Sequence, residues 1–335
     1  MSTMYEADEK RYDGTMKYRR AGRSGILLSE LSLGLWHNFG AENDFENSKQ
    51  MLHTAFDKGI TQFDLANNYG PPNGSAEETF GKVMKSSFSP YRSELFIATK
   101  AGHEMWPGPY GDWGSRKSLM NSLDQSLKRM NLDYVDIFYT HRYDPNTPLE
   151  ETMQALVDLV KQGKTLYVGI SKYPPKAAAF AYNYLRERDV PCLLYQGRYN
   201  LLNREVEKEG IIDQANEAGA GFVAFSPLAQ GLLSDRYLSG NVEKGSRMSL
   251  GQFLRRTALT DERLKQLNRL SEIAGERGQS LAEMALAWLL RGDKVTSVIV
   301  GTSSVAQLQK NLNALKNISF STEELERIDR VLGTD

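Results

Sequence analysis

The chain has 335 residues and a formal net charge of −1, with 40% hydrophobic and 25% charged residues. A near-neutral chain without a block of like charges indicates neither a nucleic-acid partner nor an anionic membrane partner. The N-terminus lacks the basic and apolar regions of a secretory signal, and no apolar run reaches the roughly 20 residues of a membrane helix. We therefore expect a cytoplasmic protein without membrane insertion.

The single cysteine, Cys192, excludes an intrachain disulfide and a cysteine-rich zinc site. It lies in the apolar run VPCLLYQ, which predicts a buried side chain rather than a nucleophile. His37, His53 and His103 do not have the spacing of metal ligands, so we expect no metal site.

The polar residues 1–15 predict a flexible N-terminal segment, and residues 16–335 predict a single domain. Its first part, MKYRRAGRSGILLSE, predicts a β-hairpin around two glycines. Short apolar runs then predict eight strands, at 31–35, 61–65, 95–100, 135–141, 166–171, 192–196, 221–226 and 296–301.

Apolar residues at helical spacing separate these runs, with clear stripes over 119–130 and 153–160. Ser75 with Glu78, and Ser321 with Glu324, match the capping box that begins a helix. Eight alternating units favour an α/β fold of the (β/α)8 TIM-barrel type over an open doubly wound sheet. The absence of G-x-G-x-x-G after the first strand argues against a Rossmann domain.

Two segments interrupt the alternation of strands and helices. Residues 226–260 predict a long loop after the seventh strand, and residues 321–333 predict an extra C-terminal helix. Long loops of this kind are usually functional or disordered.

Polar residues end five of the otherwise apolar strands. In barrels of this type the catalytic groups lie at the carboxyl ends of the strands, so these residues are expected on one rim. They are Asp64, Lys100, His141, Ser171 and Gln196.

Proton transfer is the chemistry that this rim suggests. The phenol of Tyr69, five residues after Asp64, is too weak an acid for neutral pH unless its pKa is lowered. A nearby Lys100 ammonium would lower it, and Asp64 would fix the charge and position of the lysine. His141 would orient a carbonyl oxygen or share the proton.

Six motifs, FDLANNYG, ATK, YTH, GIS, YQGRYN and VGTSSVAQLQKN, resemble the aldo-keto reductase superfamily, collinearly from about residue 17 to 332. GLWHNFG, NNYGPPNGSAEE, MWPGPYG and SPLAQGLL are similar to its branch of potassium-channel β subunits and bacterial L-glyceraldehyde-3-phosphate reductases, above all to the latter. The resemblance implies that Tyr69 is the general acid, that Lys100, Asp64 and His141 support it, and that NADPH gives hydride to a carbonyl carbon.

The resemblance also implies the NADP(H) contacts. Ser171 and Gln196 would bind the nicotinamide carboxamide, Phe225 would stack on the nicotinamide ring, and Arg236 and Arg247 would bind the 2′-phosphate. The other implied contacts, along the ribose, pyrophosphate and adenosine, are Trp36, Asp64, Ser226, Pro227, Leu228, Gly231, Gly301, Ser303, Gln307 and Asn311.

Two positions depart from related patterns. Lys172 stands where superfamily members commonly carry an asparagine that holds the carboxamide, so that contact is lost or replaced; the resemblance implies that the branch tolerates a basic residue there. The chain keeps His141 where channel subunits carry asparagine, which favours a working reductase. Arg116 and Lys117 at a predicted helix start are open candidates for a substrate phosphate, and Trp36, Trp106 and Trp113 are candidates for the pocket wall.

The leading hypothesis is an NADPH-dependent reductase of short aldehydes, including glyceraldehyde 3-phosphate and methylglyoxal by resemblance. The main alternative is a redox-sensing subunit that binds NADP(H) with little turnover. A third is a barrel aldolase or isomerase with Lys100 as Schiff base. The branch also implies a homo-oligomer, a tetramer or larger.

Overall fold

The computed structural model describes residues 5–242, 247–251 and 254–333, except for the side chains of Arg247 and Leu250. A two-stranded antiparallel hairpin precedes the main sheet. The hairpin consists of β1 (Tyr18–Arg20) and β2 (Leu27–Ser29). The predicted hairpin is therefore confirmed.

Eight parallel strands in the described residues close into a barrel, in the order β10-β3-β4-β5-β6-β7-β8-β9. All eight predicted strands are confirmed, with ends that differ by at most two residues. They are β3 (Leu31–Gly34), β4 (Gln62–Asp64), β5 (Phe96–Ala101), β6 (Val135–Thr140), β7 (Thr165–Ser171), β8 (Cys192–Arg198), β9 (Gly221–Phe225) and β10 (Ser297–Val300).

Helices cover the outside of the barrel, which confirms the (β/α)8 fold. The apolar stripe 119–130 lies on α3, where Leu119, Leu123, Leu127 and Met130 are all buried. The helices are α1 (Phe45–Asp57), α2 (Ser75–Val83), α3 (Arg116–Met130), α4 (Leu149–Lys161), α5 (Pro175–Arg186), α6 (Glu205–Lys208), α7 (Ile211–Ala218), α8 (Arg247–Leu250), α9 (Asp261–Glu276), α10 (Leu281–Leu289), α11 (Val305–Leu312) and α12 (Thr322–Leu332).

One of the two predicted capping boxes is present. Ser321 and Glu324 form it at the start of α12. The box at Ser75 is wrong, because Gly74 caps α2 with a left-handed φ of 88° and Ser75 is already the first helical residue. Its hydroxyl donates instead to the carbonyl of Pro72 at 2.6 Å.

The hairpin closes the amino-terminal end of the barrel. Its Ala21 and Leu28 pack with Phe96, Ile137 and Val223 from the barrel strands. Polar side chains lie at the opposite end of the barrel, where the strands finish.

Cys192 is buried, and burial raises the pKa of its thiol to about 12, as expected of a structural cysteine.

The segment expected to be flexible contacts the barrel over the part that is described. The Tyr5 ring stacks on His53 and its hydroxyl donates to Asp57 at 2.7 Å. Arg11 pairs with Glu94 at 2.9 Å. These contacts join Tyr5 and Arg11 to the barrel, while the flexible segment 1–15 and the single domain 16–335 stay predictions.

Candidate active site

A buried ion pair lies at the carboxyl ends of β4 and β5. Nζ of Lys100 donates to Oδ2 of Asp64 at 2.8 Å, and both side chains are almost inaccessible to solvent. Burial lowers the pKa of Lys100, and the Asp64 carboxylate opposes that effect. The side-chain amide of Gln196 donates to the other carboxylate oxygen at 2.8 Å, so both oxygens of Asp64 are held.

Tyr69 lies in the loop between β4 and α2 and faces this pair. The Lys100 ammonium is 4.9 Å from the centroid of its ring, and the ring of His141 meets it edge-on at 5.9 Å. The structure therefore brings together Asp64, Tyr69, Lys100 and His141, the four residues predicted as catalytic.

The pKa of Tyr69 is raised overall, although Lys100 lies near its ring as expected. Burial raises the pKa of Tyr69 well above its ordinary value, and the Asp64 charge adds to that effect. The ammonium faces the ring and is neutralised by Asp64. The phenol is consequently protonated at neutral pH, as a proton donor must be before the reaction.

His141 follows β6 directly and is buried. Its backbone N–H donates to the carbonyl of Ala101 at 2.8 Å, which fixes the residue beside the end of β5. Burial, followed by the charge of Lys100, lowers the pKa of its imidazole well below the ordinary value. The ring is therefore neutral, and its Nδ1 has no hydrogen-bond partner in the described part of the chain.

Ser171 and Gln196 lie side by side, since they are partners in the β7–β8 register. The hydroxyl of Ser171 is buried and finds no hydrogen-bond partner among residues 5–242, 247–251 and 254–333. A buried hydroxyl of this kind at a barrel rim fits an amide group of a ligand. Phe225 ends β9 on the same rim and is only partly buried.

The loop after β9 turns sharply at residues expected to follow a pyrophosphate. Ser226 and Gly231 both have positive φ, 53° and 96°. The carbonyl of Ser226 accepts a hydrogen bond from Asn200 Nδ2 at 2.9 Å, which holds the start of this loop to the chain after β8. Pro227 is buried and Leu228 is partly buried between these turns.

The loops after the first and last barrel strands meet. Asn38, close to Trp36, donates to the carbonyl of Thr302 at 2.8 Å. Gly301 and Ser303 are exposed in the second loop.

The expected adenosine contacts continue from this loop into α11. Oε1 of Gln307 accepts from the Ser303 N–H at 2.9 Å. Asn311 is buried, and no partner for its Nδ2 exists in the described structure, so it fits a polar ligand edge.

Of the two arginines expected at a 2′-phosphate, the structure describes the side chain of Arg236 but not that of Arg247. Arg236 is exposed in the 3-10 turn Asp235–Tyr237 of the long loop. Arg247 begins α8, but its side chain lies outside the described residues, so its role stays a prediction.

Residues 30–332 match the Aldo/keto reductase family. The chain belongs to this family. It is 55% identical to an L-glyceraldehyde 3-phosphate reductase of Escherichia coli strain K12 over 328 residues, which cover 97% of this chain and 94% of the relative. It is 35% identical to a probable voltage-gated potassium channel subunit beta of Oryza sativa subsp. japonica over 323 residues, 95% and 97% of the two chains.

Arg116 and Lys117, the open candidates for a substrate phosphate in this aldo/keto reductase, are engaged elsewhere. The guanidinium of Arg116 pairs with Asp158 on α4. The ammonium of Lys117 lies 4.9 Å from the centroid of the exposed Tyr110 ring. Trp113 is stacked under the guanidinium of Arg142, at 3.6 Å.

A basic group, Lys172, lies beside the catalytic rim of this family member, in a contact with His103 that the sequence did not predict. Nζ of Lys172 lies 3.0 Å from Nε2 of His103, and the His103 ring meets His141 edge-on at 4.5 Å. The signal available in the sequence was the lysine in place of the family's usual asparagine. No spacing rule links it to His103, 69 residues earlier.

Proposed function

We propose that this aldo/keto reductase reduces short aldehydes to alcohols with NADPH, and that L-glyceraldehyde 3-phosphate and methylglyoxal-like compounds are among its substrates. The observation that carries the proposal is the convergence of Tyr69, Lys100, Asp64 and His141 on one barrel rim. The 55% identity with an L-glyceraldehyde 3-phosphate reductase supports the substrate class.

The proposed mechanism assigns proton delivery to Tyr69. NADPH, when bound, supplies the hydride that the carbonyl carbon receives. The developing alkoxide is more basic than a phenolate, so the neutral Tyr69 hydroxyl donates its proton to the carbonyl oxygen. The nearby Lys100 cation stabilises the negative charge that Tyr69 then carries.

His141 is proposed to orient the substrate. Because its imidazole is neutral, it can offer one N–H to the carbonyl oxygen without adding a charge. Asp64 holds Lys100 in place and prevents its loss of charge in the buried site.

NADP(H) is the proposed cofactor, held by Trp36, Asp64 and the residues named above from Ser171 to Asn311. The Ser171 hydroxyl and the Asn311 amide support this, because both are buried and neither Ser171 Oγ nor Asn311 Nδ2 has a hydrogen-bond partner among the described residues. Arg236 and Arg247 are the proposed partners of the 2′-phosphate. We further propose that the protein is cytoplasmic and forms a homo-oligomer, a tetramer or larger. No helix among the described residues is long and apolar enough to span a membrane.

A Tyr69→Phe variant tests the mechanism. Removing the hydroxyl should lower kcat for glyceraldehyde reduction by about 100- to 10,000-fold, the usual contribution of a general acid. NADPH affinity, followed by nicotinamide fluorescence, should change little. Tyr110→Phe is the matched control, because Tyr110 is 52% exposed. A fully active Tyr69→Phe enzyme would contradict the proposal.

The redox-sensing subunit is the alternative outcome of the same assay. It predicts tight NADPH binding by the unaltered protein with almost no aldehyde turnover. A rapid turnover that depends on Tyr69 rules it out.

A further inference from the structure

Lys172 is held in an unusual backbone conformation next to the proposed cofactor contact Ser171. Its φ of 57° lies in the left-handed region, which few residues other than glycine adopt without strain. The backbone N–H donates to the carbonyl of Gln196 at 3.3 Å. This conformation places the side chain over the rim, where Nζ lies 3.0 Å from His103 and 6.0 Å from the Phe225 ring.

The charge of Lys172 is not balanced by a carboxylate. None of the ion pairs of the described residues includes Lys172, and the charged groups acting on it are the cations Lys100 and Arg142. Lys100 is neutralised by Asp64, and Arg142 by Asp112 at 2.6 Å. Lys172 is therefore an exposed positive charge that invites an anion.

His103 complements this charge with a neutral hydrogen-bonding group. Burial, aided by the neighbouring Lys172 and Arg142, lowers the pKa of its imidazole to about 4. At neutral pH the ring donates one hydrogen bond and accepts another. Its Nε2 lies 3.0 Å from Nζ of Lys172, and its ring meets the His141 ring edge-on, with no hydrogen bond between the two rings among the described residues.

The position of these groups sets the size of the substrate. A reacting carbonyl oxygen must lie within hydrogen-bond reach of Tyr69 and His141. Nζ of Lys172 contacts the His103 ring and that ring contacts His141, so an anion on Lys172 lies one imidazole ring away from the proposed carbonyl site. A lysine ammonium is a common partner for a phosphate.

We propose that Lys172 and His103 form the subsite for the phosphate of the substrate and select phosphorylated short aldehydes over uncharged ones. This inference rests on the proposed function, because it assigns the specificity of the same site. It also gives a role to the lysine that replaces the family's usual asparagine.

Steady-state kinetics with glyceraldehyde 3-phosphate and glyceraldehyde test the subsite. For Lys172→Met, the ratio of the two kcat/KM values should fall about ten- to hundredfold, mainly through KM of the phosphorylated substrate. Lys172→Arg should retain most of the ratio. Lys176→Met, which removes an exposed lysine four residues away on α5, should leave the ratio and both rates unchanged.

Inorganic phosphate provides a second readout that does not depend on turnover of the phosphorylated substrate. It should inhibit glyceraldehyde reduction competitively in the parent and about tenfold more weakly in Lys172→Met and His103→Phe. Equal losses on both aldehydes, or an altered NADPH dissociation constant with an unchanged ratio, would overturn the inference. A parent enzyme that reduces neither aldehyde would overturn the proposed function itself.

Discussion

Gln196 donates from Nε2 to Oδ1 of Asp64 at 2.8 Å and so ties β8 to β4 across the rim of the barrel. The second oxygen of Asp64 accepts from Lys100, also at 2.8 Å. A single buried carboxylate therefore positions both the lysine beside Tyr69 and an amide proposed to bind the cofactor. A substitution of Asp64, Lys100 or Gln196 should therefore alter the positions of the other two side chains.

Removal of the Lys100 charge should destabilise the fold. Lys100→Met leaves Asp64 buried without its counter-charge, so we expect the free energy of unfolding to fall by about 3–5 kcal/mol. Urea unfolding measures this change. The double variant Lys100→Met with Asp64→Asn should recover much of the loss, since it leaves no unpaired charge. A single variant as stable as the parent would show that water or a nearby cation compensates Asp64.

Binding of a phosphorylated substrate should weaken at alkaline pH. The side chain of Lys172 is exposed overall, but partial desolvation of its ammonium against the rim, with the charges of Lys100 and Arg142, lowers its pKa to about 8. The ammonium is present below that value and is lost as the pH rises through it, so KM for glyceraldehyde 3-phosphate should rise above about pH 8. KM for glyceraldehyde should not follow the same curve.

Lys172→Arg provides the control for this profile, because a guanidinium stays charged over the whole range. Its KM for glyceraldehyde 3-phosphate should stay flat where that of the parent rises. Parallel profiles for parent and variant would assign the titration to another group.

A second buried carboxylate, Glu77 on α2, lies behind Lys100. It accepts from Oγ1 of Thr99 at 2.6 Å and from Nε of Arg129 at 2.7 Å. Glu77→Gln keeps the shape but leaves Arg129 without its counter-charge, so we expect a loss of about 2–4 kcal/mol in the free energy of unfolding. Glu78→Gln, at the neighbouring exposed position, should stay within about 0.5 kcal/mol of the parent.

The fold and the catalytic rim could be predicted from the sequence because both depend on local patterns. Apolar runs mark the strands, and the fold places their last residues on one rim, so Asp64, Lys100 and His141 converge without any contact having to be known. The predicted capping box at Ser75 was wrong for a local reason as well. Gly74 is the N-cap of α2, and its left-handed backbone is one that serine rarely adopts.

The pKa of Tyr69 and the partner of Lys172 could not be predicted in this way. The first depends on how deeply the phenol is buried and on which face the lysine approaches. The second depends on the path of the loop after β5, which brings His103 to the end of β7. The pKa of Tyr69 and the contact between Lys172 and His103 both depend on the three-dimensional arrangement, which sequence spacing does not encode.

The stacked pair of Tyr5 and His53 predicts an acid-sensitive contact between the N-terminal segment and α1. Their ring centroids are 3.8 Å apart, and burial lowers the pKa of His53 from 6.5 to about 4. Between these values the unfolded chain binds a proton that the folded chain excludes. His53 therefore costs no stability above its unfolded pKa and destabilises the fold as the pH falls toward 4.

His53→Phe should remove this part of the acid response, because a phenyl ring keeps the stacking surface and cannot be protonated. Urea unfolding from neutral pH down to about pH 4 should show a loss smaller by about 1–2 kcal/mol in the variant, allowing for the partial exposure of the ring. The carboxylates and the buried His103 and His141 are common to both proteins, so the difference between the two curves isolates His53. Curves that run parallel over this range would show that Tyr5 and His53 separate before the imidazole is protonated.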